Sequence, residues 1–217
     1  MKKIACFLAC LSAGFAGATA IQFEPANTVT AAGFSTTFAS LPMTSSLSGL
    51  QSVDGFTFDQ KDSSSNGIWT GYNPGGTGNG HGWYPNGGDF GYTEISLTGG
   101  QDFGDVSLFV GSGNSLLTYL AYELLDDGVS VLSGVLPGHQ KSFHWLSISG
   151  GGFDTIRLRD GQDAGIKVGD GSFNGLAFDS VYATTTATVP EPASITVLAL
   201  GLAGIRLARK RKAIRCR

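Results

Sequence analysis

The sequence predicts an all-β protein, an antiparallel β-sandwich with jelly-roll-like connections. Three observations carry this. Helical periodicity is nearly absent between residues 21 and 188. Short segments of alternating apolar and polar residues stand in its place, the pattern of strands with one buried face. Each is bounded by Gly, Asp or Asn, and the 33 glycines follow no fixed period, which excludes a collagen-like chain.

In order, strands are predicted around Phe56–Phe58, Tyr92–Leu97 and Val106–Val110. Leu117–Leu124 then meets Val129–Leu132 across Asp126-Asp127-Gly128, a hairpin turn signal. Ser142–Ile148, Phe153–Leu158 and Leu176–Tyr182 complete the set. On the first of these three, His144 alternates with Phe143 and Trp145, which points it outward. Residues 26–52, rich in Thr, Ser and Ala, form an edge strand or a loop. Residues 66–92 form a long glycine-rich loop, a kind of segment that is functional or disordered when found in a compact domain. No repeat of 20 to 50 residues is visible, which disfavours a propeller or solenoid.

The two ends differ from this middle. Residues 1–20 read as a signal helix: Lys2 and Lys3, an apolar run from Ile4 to Gly17, then Ala18-Thr19-Ala20. The small Ala18 and Ala20 suit signal peptidase, with cleavage expected after Ala20. At the other end, Val189-Pro-Glu-Pro-Ala-Ser194 is held extended by Pro190 and Pro192. An apolar helix over 193–208 follows, and a basic end over 206–217 contains Arg206, Arg209, Lys210 and Arg211. The helix is short for a bilayer span, but Arg206 can snorkel to the interface while the cations stay on the cytoplasmic side.

This order of parts resembles the PEP-CTERM sorting signal of Gram-negative bacteria that secrete exopolysaccharide. The resemblance covers residues 189–217 and rests on Pro190-Glu191-Pro192, the apolar run and the Arg-rich end. It implies recognition and removal of the tail by exosortase, a membrane transpeptidase-like enzyme. It also implies an inner-membrane-anchored intermediate, then residence at the cell surface or in an extracellular, exopolysaccharide-rich biofilm matrix. The expected organisation is signal peptide 1–20, β-sandwich ectodomain 21–183, linker 184–188 and sorting tail 189–217.

Removing signal and tail changes the electrostatics. Residues 21–188 hold sixteen acidic residues and five basic ones (Lys61, Lys141, Arg157, Arg159, Lys167), a net charge of −11 against −3 for the whole chain. Such a domain is repelled by nucleic acid and anionic lipid, so no nucleic-acid partner is expected. Cys6 and Cys10 lie in the signal and Cys216 in the tail. The ectodomain therefore has no disulfide, thiol nucleophile or cysteine-ligated metal.

Three candidate chemistries remain. Trp69, Tyr72, Trp83 and Tyr84, interspersed with Gly and Asn in the 66–92 loop, suit stacking on sugar faces and a glycan-binding role. Glu24 and Asp179 lie near the two ends of the fold; were the first and last strands neighbours, they would share a structural calcium, the one cofactor considered. Asp160-Gly-Gln-Asp163 and Asp170-Gly171 resemble loose calcium-loop fragments. Glu94 and Glu123 are candidate acids for a glycosidase or polysaccharide lyase. No nucleophile elbow, phosphate loop or dinucleotide fingerprint appears. The expected function is that of an exported, non-catalytic cell-surface or exopolysaccharide-matrix protein. Glycan binding and glycoside cleavage are the alternatives.

Overall fold

A computed structural model describes residues 19–44, 47–61, 68–71, 80–85, 91–112, 118–137, 143–169 and 175–186, except the Trp69 side chain. The signal helix before Thr19 and the membrane-spanning tail helix lie outside these residues. The chain separates into two units, Met1–Thr186 and Ala187–Arg217, and the second is wholly outside them.

Among the described residues there is no helix, and thirteen strands are present. They are β1 (Ala20–Glu24), β2 (Phe34–Thr36), β3 (Leu50–Val53), β4 (Phe56–Lys61), β5 (Ile68–Trp69), β6 (Tyr84–Pro85) and β7 (Tyr92–Leu97). Then follow β8 (Phe103–Ser112), β9 (Tyr119–Asp126), β10 (Val129–Pro137), β11 (His144–Ser149), β12 (Thr155–Gly161) and β13 (Leu176–Thr185). A front sheet has the order β1-β11-β8-β13-β2 and a back sheet β10-β9-β12-β7-β4-β3. All pairings are antiparallel. Between β7 and β13 the chain changes sheet at every step except the β9–β10 hairpin.

Period-two alternation builds the core. On β7, Thr93, Ile95 and Leu97 are buried while Tyr92, Glu94 and Ser96 are half-buried. Phe56 and Phe58 of β4 join Ile95, Leu124 and Ile156 from the back sheet, and Leu108, Leu146 and Phe178 come from the front sheet. The Phe58 and Phe178 rings meet across the interface at 6.3 Å. A core of this size stands in for the missing disulfides.

The turns follow local chemistry. Asp127 and Gly128 have φ of 50° and 77°, the two left-handed positions of a type I′ turn. Asp54 and Gly55 (φ 49° and 89°) make the same turn between β3 and β4, with Val53 opposite Phe56. Asp54 also accepts the Thr36 hydroxyl at 2.7 Å, which ties the back-sheet hairpin to β2 of the front sheet. The 26–52 stretch thus supplies one edge strand to each sheet, β2 and β3.

His144 departs from the sequence reading. It shares a face with buried Leu146 and Ile148, and its ring lies 5.8 Å from Phe23. The aliphatic pair sets the parity of the strand, so Trp145 is the residue that points outward.

Candidate functional site

Asp160 is a buried acid at which the two sheets meet. It lies on the face of β12 that carries Ile156 and Leu158, fully buried. Its Oδ1 accepts the Gly175 N–H at 2.7 Å. Burial pushes its pKa up to about 7, and hydrogen bonds from Ser112 and Gly175 and the charge of Arg159 keep it from rising further. Ser112 ends β8, and Gly175 immediately precedes β13. The carboxyl is therefore a cross-sheet staple, while Asp163 is exposed and Asp170 lies outside the described residues. The fragment Asp160–Asp163 thus has its first carboxylate inside the fold and its second in solvent.

The calcium pair is also corrected. The first strand is not the neighbour of the last, because β11 and β8 stand between β1 and β13. Three strand spacings, about 14 Å, separate Glu24 from Asp179. Glu24 is half-buried at the sheet edge and receives the Gln22 amide, whereas Asp179 is fully buried and accepts the Ser180 hydroxyl at 2.9 Å. No single ion reaches both carboxylates. Among the described residues no group of three or more His, Cys, Asp or Glu side chains gathers.

The aromatics predicted to bind sugar fall into different environments. Trp83 is fully buried, 5.4 Å from the Phe58 ring and 6.5 Å from Phe38. Its backbone makes two hydrogen bonds of 2.8 Å with Phe178 of β13. It therefore packs the core and presents no face to a ligand. Tyr84 on β6 is half-buried. Tyr72 and the side chain of Trp69 lie outside the described residues.

A different aromatic set lines the outer face of the front sheet. Phe109 of β8 lies 5.0 Å from Trp145 of β11 and 5.5 Å from Phe143, and Trp145 lies 5.8 Å from Tyr182 of β13. All four rings are half-buried. Gly111 seats the row, since a Cβ there would come within 2.4 Å of the Phe143 ring. Gln22 and Glu24 flank it on β1, with Glu24 opposite Trp145 in the register. The stretch from β1 to β2 crosses the same face, where Thr28 hydrogen-bonds Ser147 at 2.9 Å. Sequence reasoning missed this row. The signal was present in the alternation of Phe143 and Trp145, but pairing with Phe109 and Tyr182 comes only from strand order.

The outer face of the back sheet is ionic. Arg157 of β12 donates to Glu94 of β7 at 2.8 Å and to Glu123 of β9 at 3.3 Å. Its guanidinium carbon sits 5.2 Å from the Tyr92 ring centroid. Lys61 pairs with Asp59 and lies 3.7 Å from Glu94. The two candidate glycosidase acids are thus joined by one cation on an open sheet face. A cleft of about 450 Å³ lies between β9–β10 and the 164–168 loop, lined by Tyr122, Glu123, Val135, Ile166 and Lys167 among others.

The processing residues Pro190, Glu191, Pro192, Arg206, Arg209, Lys210 and Arg211 and the peptidase residue Ala18 lie outside the described residues, while Ala20 opens β1. A family model described as the PEP-CTERM protein-sorting motif matches residues 188–212. No curated protein matches the chain. The matched stretch contains the Pro-Glu-Pro, the apolar run and the basic residues through Lys212. The chain therefore carries a PEP-CTERM protein-sorting motif, the mark of a secreted protein that crosses the membrane and is sorted to the cell surface through exosortase.

Proposed function

We propose that the ectodomain is a non-catalytic structural protein of the cell surface or exopolysaccharide matrix. In this reading signal peptidase removes residues 1–20, the apolar segment 193–208 holds an inner-membrane intermediate, and exosortase then releases the domain. The sorting motif at 188–212 is the observation that carries it. Two features of the domain support it. Glu94 and Glu123 are engaged by Arg157 instead of facing each other across a cleft. We read the order β2-β13-β8-β11 facing β7-β12-β9-β10 as two interleaved Greek keys, a jelly-roll-like arrangement with β1, β3 and β4 added at the edges.

Replacing Pro190, Glu191 and Pro192 together by Ala tests the sorting step. Uncleaved chain is expected to accumulate in the inner membrane and to disappear from the surface fraction. Surface delivery at the wild-type level would overturn the reading. Release of reducing sugar by the purified protein would overturn its non-catalytic part.

A second reading, binding of a neutral polysaccharide, is favoured by the row Phe143–Phe109–Trp145–Tyr182 with Gln22 and Glu24 beside it. Half-exposed rings stack on sugar faces, and a neutral polymer meets no repulsion from an acidic domain. Co-sedimentation with the host polysaccharide, lost on Trp145→Ala, would establish it.

A further inference from the structure

The cleft of about 450 Å³ beside the β9–β10 hairpin has two built walls. One is the hairpin itself, where Tyr122 stands opposite Gly134 and Glu123 opposite Ser133. The other is the 164–168 loop with Ile166 and Lys167. Two bare backbone positions shape it. A Cβ at Gly134 would come within 2.5 Å of the Tyr122 hydroxyl oxygen, so the phenol can lie across the edge strand only because Gly134 has no side chain. Tyr122 also packs against the core, which fixes the ring from its other side. A Cβ at Gly161 would come within 2.8 Å of Ile166, so the end of β12 seats the loop. The base of the loop is tied down as well. The Gly161 carbonyl accepts the Thr118 N–H at 2.9 Å, and the Ile166 N–H donates to the Asp163 carbonyl at 3.2 Å. The volume falls within the range of about 300–1,000 Å³ usual for small-molecule sites.

We infer that this cleft binds a short neutral saccharide between the β9–β10 hairpin and the 164–168 loop. Charge selects the ligand class. Glu123 is the one carboxylate among the described lining residues, and Arg157 already donates to its Oε2 at 3.3 Å. Lys167 stands on the facing wall. A cationic ligand meets these two cations. An anionic one meets a domain whose residues 21–188 carry a net charge of −11. A neutral ligand meets neither cost. Polarity narrows the class further. A pyranose presents an apolar face of C–H groups and a rim of hydroxyls. The Tyr122 ring and the aliphatic Val135 and Ile166 suit the face. The Tyr122 and Ser133 hydroxyls, the Glu123 carboxylate and the Lys167 ammonium supply both acceptors and donors for the rim. The aromatic row with Trp145 lies on the other sheet, so this site rests on neither reading of the function given above.

The test titrates glucose, galactose, mannose and their disaccharides into the purified full-length protein and reads saturation-transfer NMR. At least one of these sugars is expected to saturate with a millimolar dissociation constant. Ser133 and Lys167 are exposed, so their variants are expected to keep the fold, which circular dichroism checks. Ser133→Trp fills the cleft and is expected to weaken binding about tenfold or more, and Lys167→Ala severalfold. Trp145→Ala, on the front sheet, is expected to leave binding unchanged. Absence of saturable binding by every one of these sugars would overturn the inference, as would binding that survives Ser133→Trp in folded protein. Binding lost with Trp145→Ala would assign the sugar to the front row and overturn it equally. Tighter binding of glucuronate or glucosamine than of glucose would overturn the choice of a neutral ligand.

Discussion

The outer faces of the two sheets are built from the same pleat and carry opposite chemistry. Across the front sheet run four half-buried aromatic rings, Phe143, Phe109, Trp145 and Tyr182. Across the back sheet run Asp59, Glu94, Arg157 and Glu123, with Lys61 beside them. The ionic row satisfies itself: each named carboxylate has a cation partner within the row. The aromatic row satisfies itself only in part, because each ring leaves some surface open. The acidic domain therefore carries ion pairs on one outer face and half-exposed apolar rings on the other. The comparison sets an ionic face closed on itself against an aromatic face left half-open, and it can be broken at several points.

The largest effect belongs to the ring that the sequence placed outside and the fold places inside. Trp83→Ala removes a fully buried indole from beside Phe38 and Phe58, and a loss of about 3–5 kcal/mol of stability is expected. Urea unfolding of the variant measures it. A loss below about 1 kcal/mol would return Trp83 to the list of surface aromatics.

Asp160 gives the next effect, through pH. Its folded pKa of about 7 lies above the ordinary value of 3.8, so between these values the folded protein binds more protons than the unfolded chain. Its contribution is therefore fully present below about pH 4 and is lost as pH rises through 7. The integrated change is about 4 kcal/mol at most. Asp160→Asn is expected to flatten the stability profile between pH 4 and 7 relative to wild type. Thermal melts across that range measure the difference, and parallel profiles would refute the burial argument.

Arg157 is the hub of the ionic face. Arg157→Met leaves Glu94 and Glu123 as neighbours without their shared cation, at a cost of about 1–2 kcal/mol. Screening weakens the lost attraction, so the gap between variant and wild type is expected to shrink in 1 M salt. A gap unchanged by salt would mean that Arg157 acts through its packing on Tyr92.

Local pattern made much of this fold legible in the sequence. The strand predicted over Tyr92–Leu97 has those bounds, and Asp127-Gly128 forms the predicted turn. Asp54-Gly55 bears the same turn signal and was overlooked because Leu50–Val53 is too short to read as a strand. Non-local facts were illegible. Nothing near Glu94, Glu123 or Arg157 states that β7, β12 and β9 are neighbours, so the two carboxylates stood as candidate acids without the cation that links them. Likewise, nothing near Trp83 reveals that its backbone pairs with Phe178, nearly a hundred residues on. The candidate calcium pair failed for the same reason, since a strand's place in the sheet is set by the whole chain. The sorting tail was legible because its chemistry is linear: extended Pro-Glu-Pro, apolar run, cations.

Trp145 gives the smallest effect on stability and the sharpest test of the comparison. Its ring lies on a half-open face against Phe109 and Tyr182, so Trp145→Ala forfeits part of two ring contacts and no sealed core volume. A cost of about 1 kcal/mol is expected, a fraction of that for Trp83→Ala. If the front face recognises polymer, the same substitution removes most of the binding, because one central ring carries a large share of a stacking surface. The two tryptophans then give reciprocal results: Trp83→Ala unfolds easily but binds while folded, and Trp145→Ala folds well but does not bind. A Trp145→Ala protein as unstable as Trp83→Ala would show that the row is a covered part of the core. The aromatic face would then join the ionic one as structure.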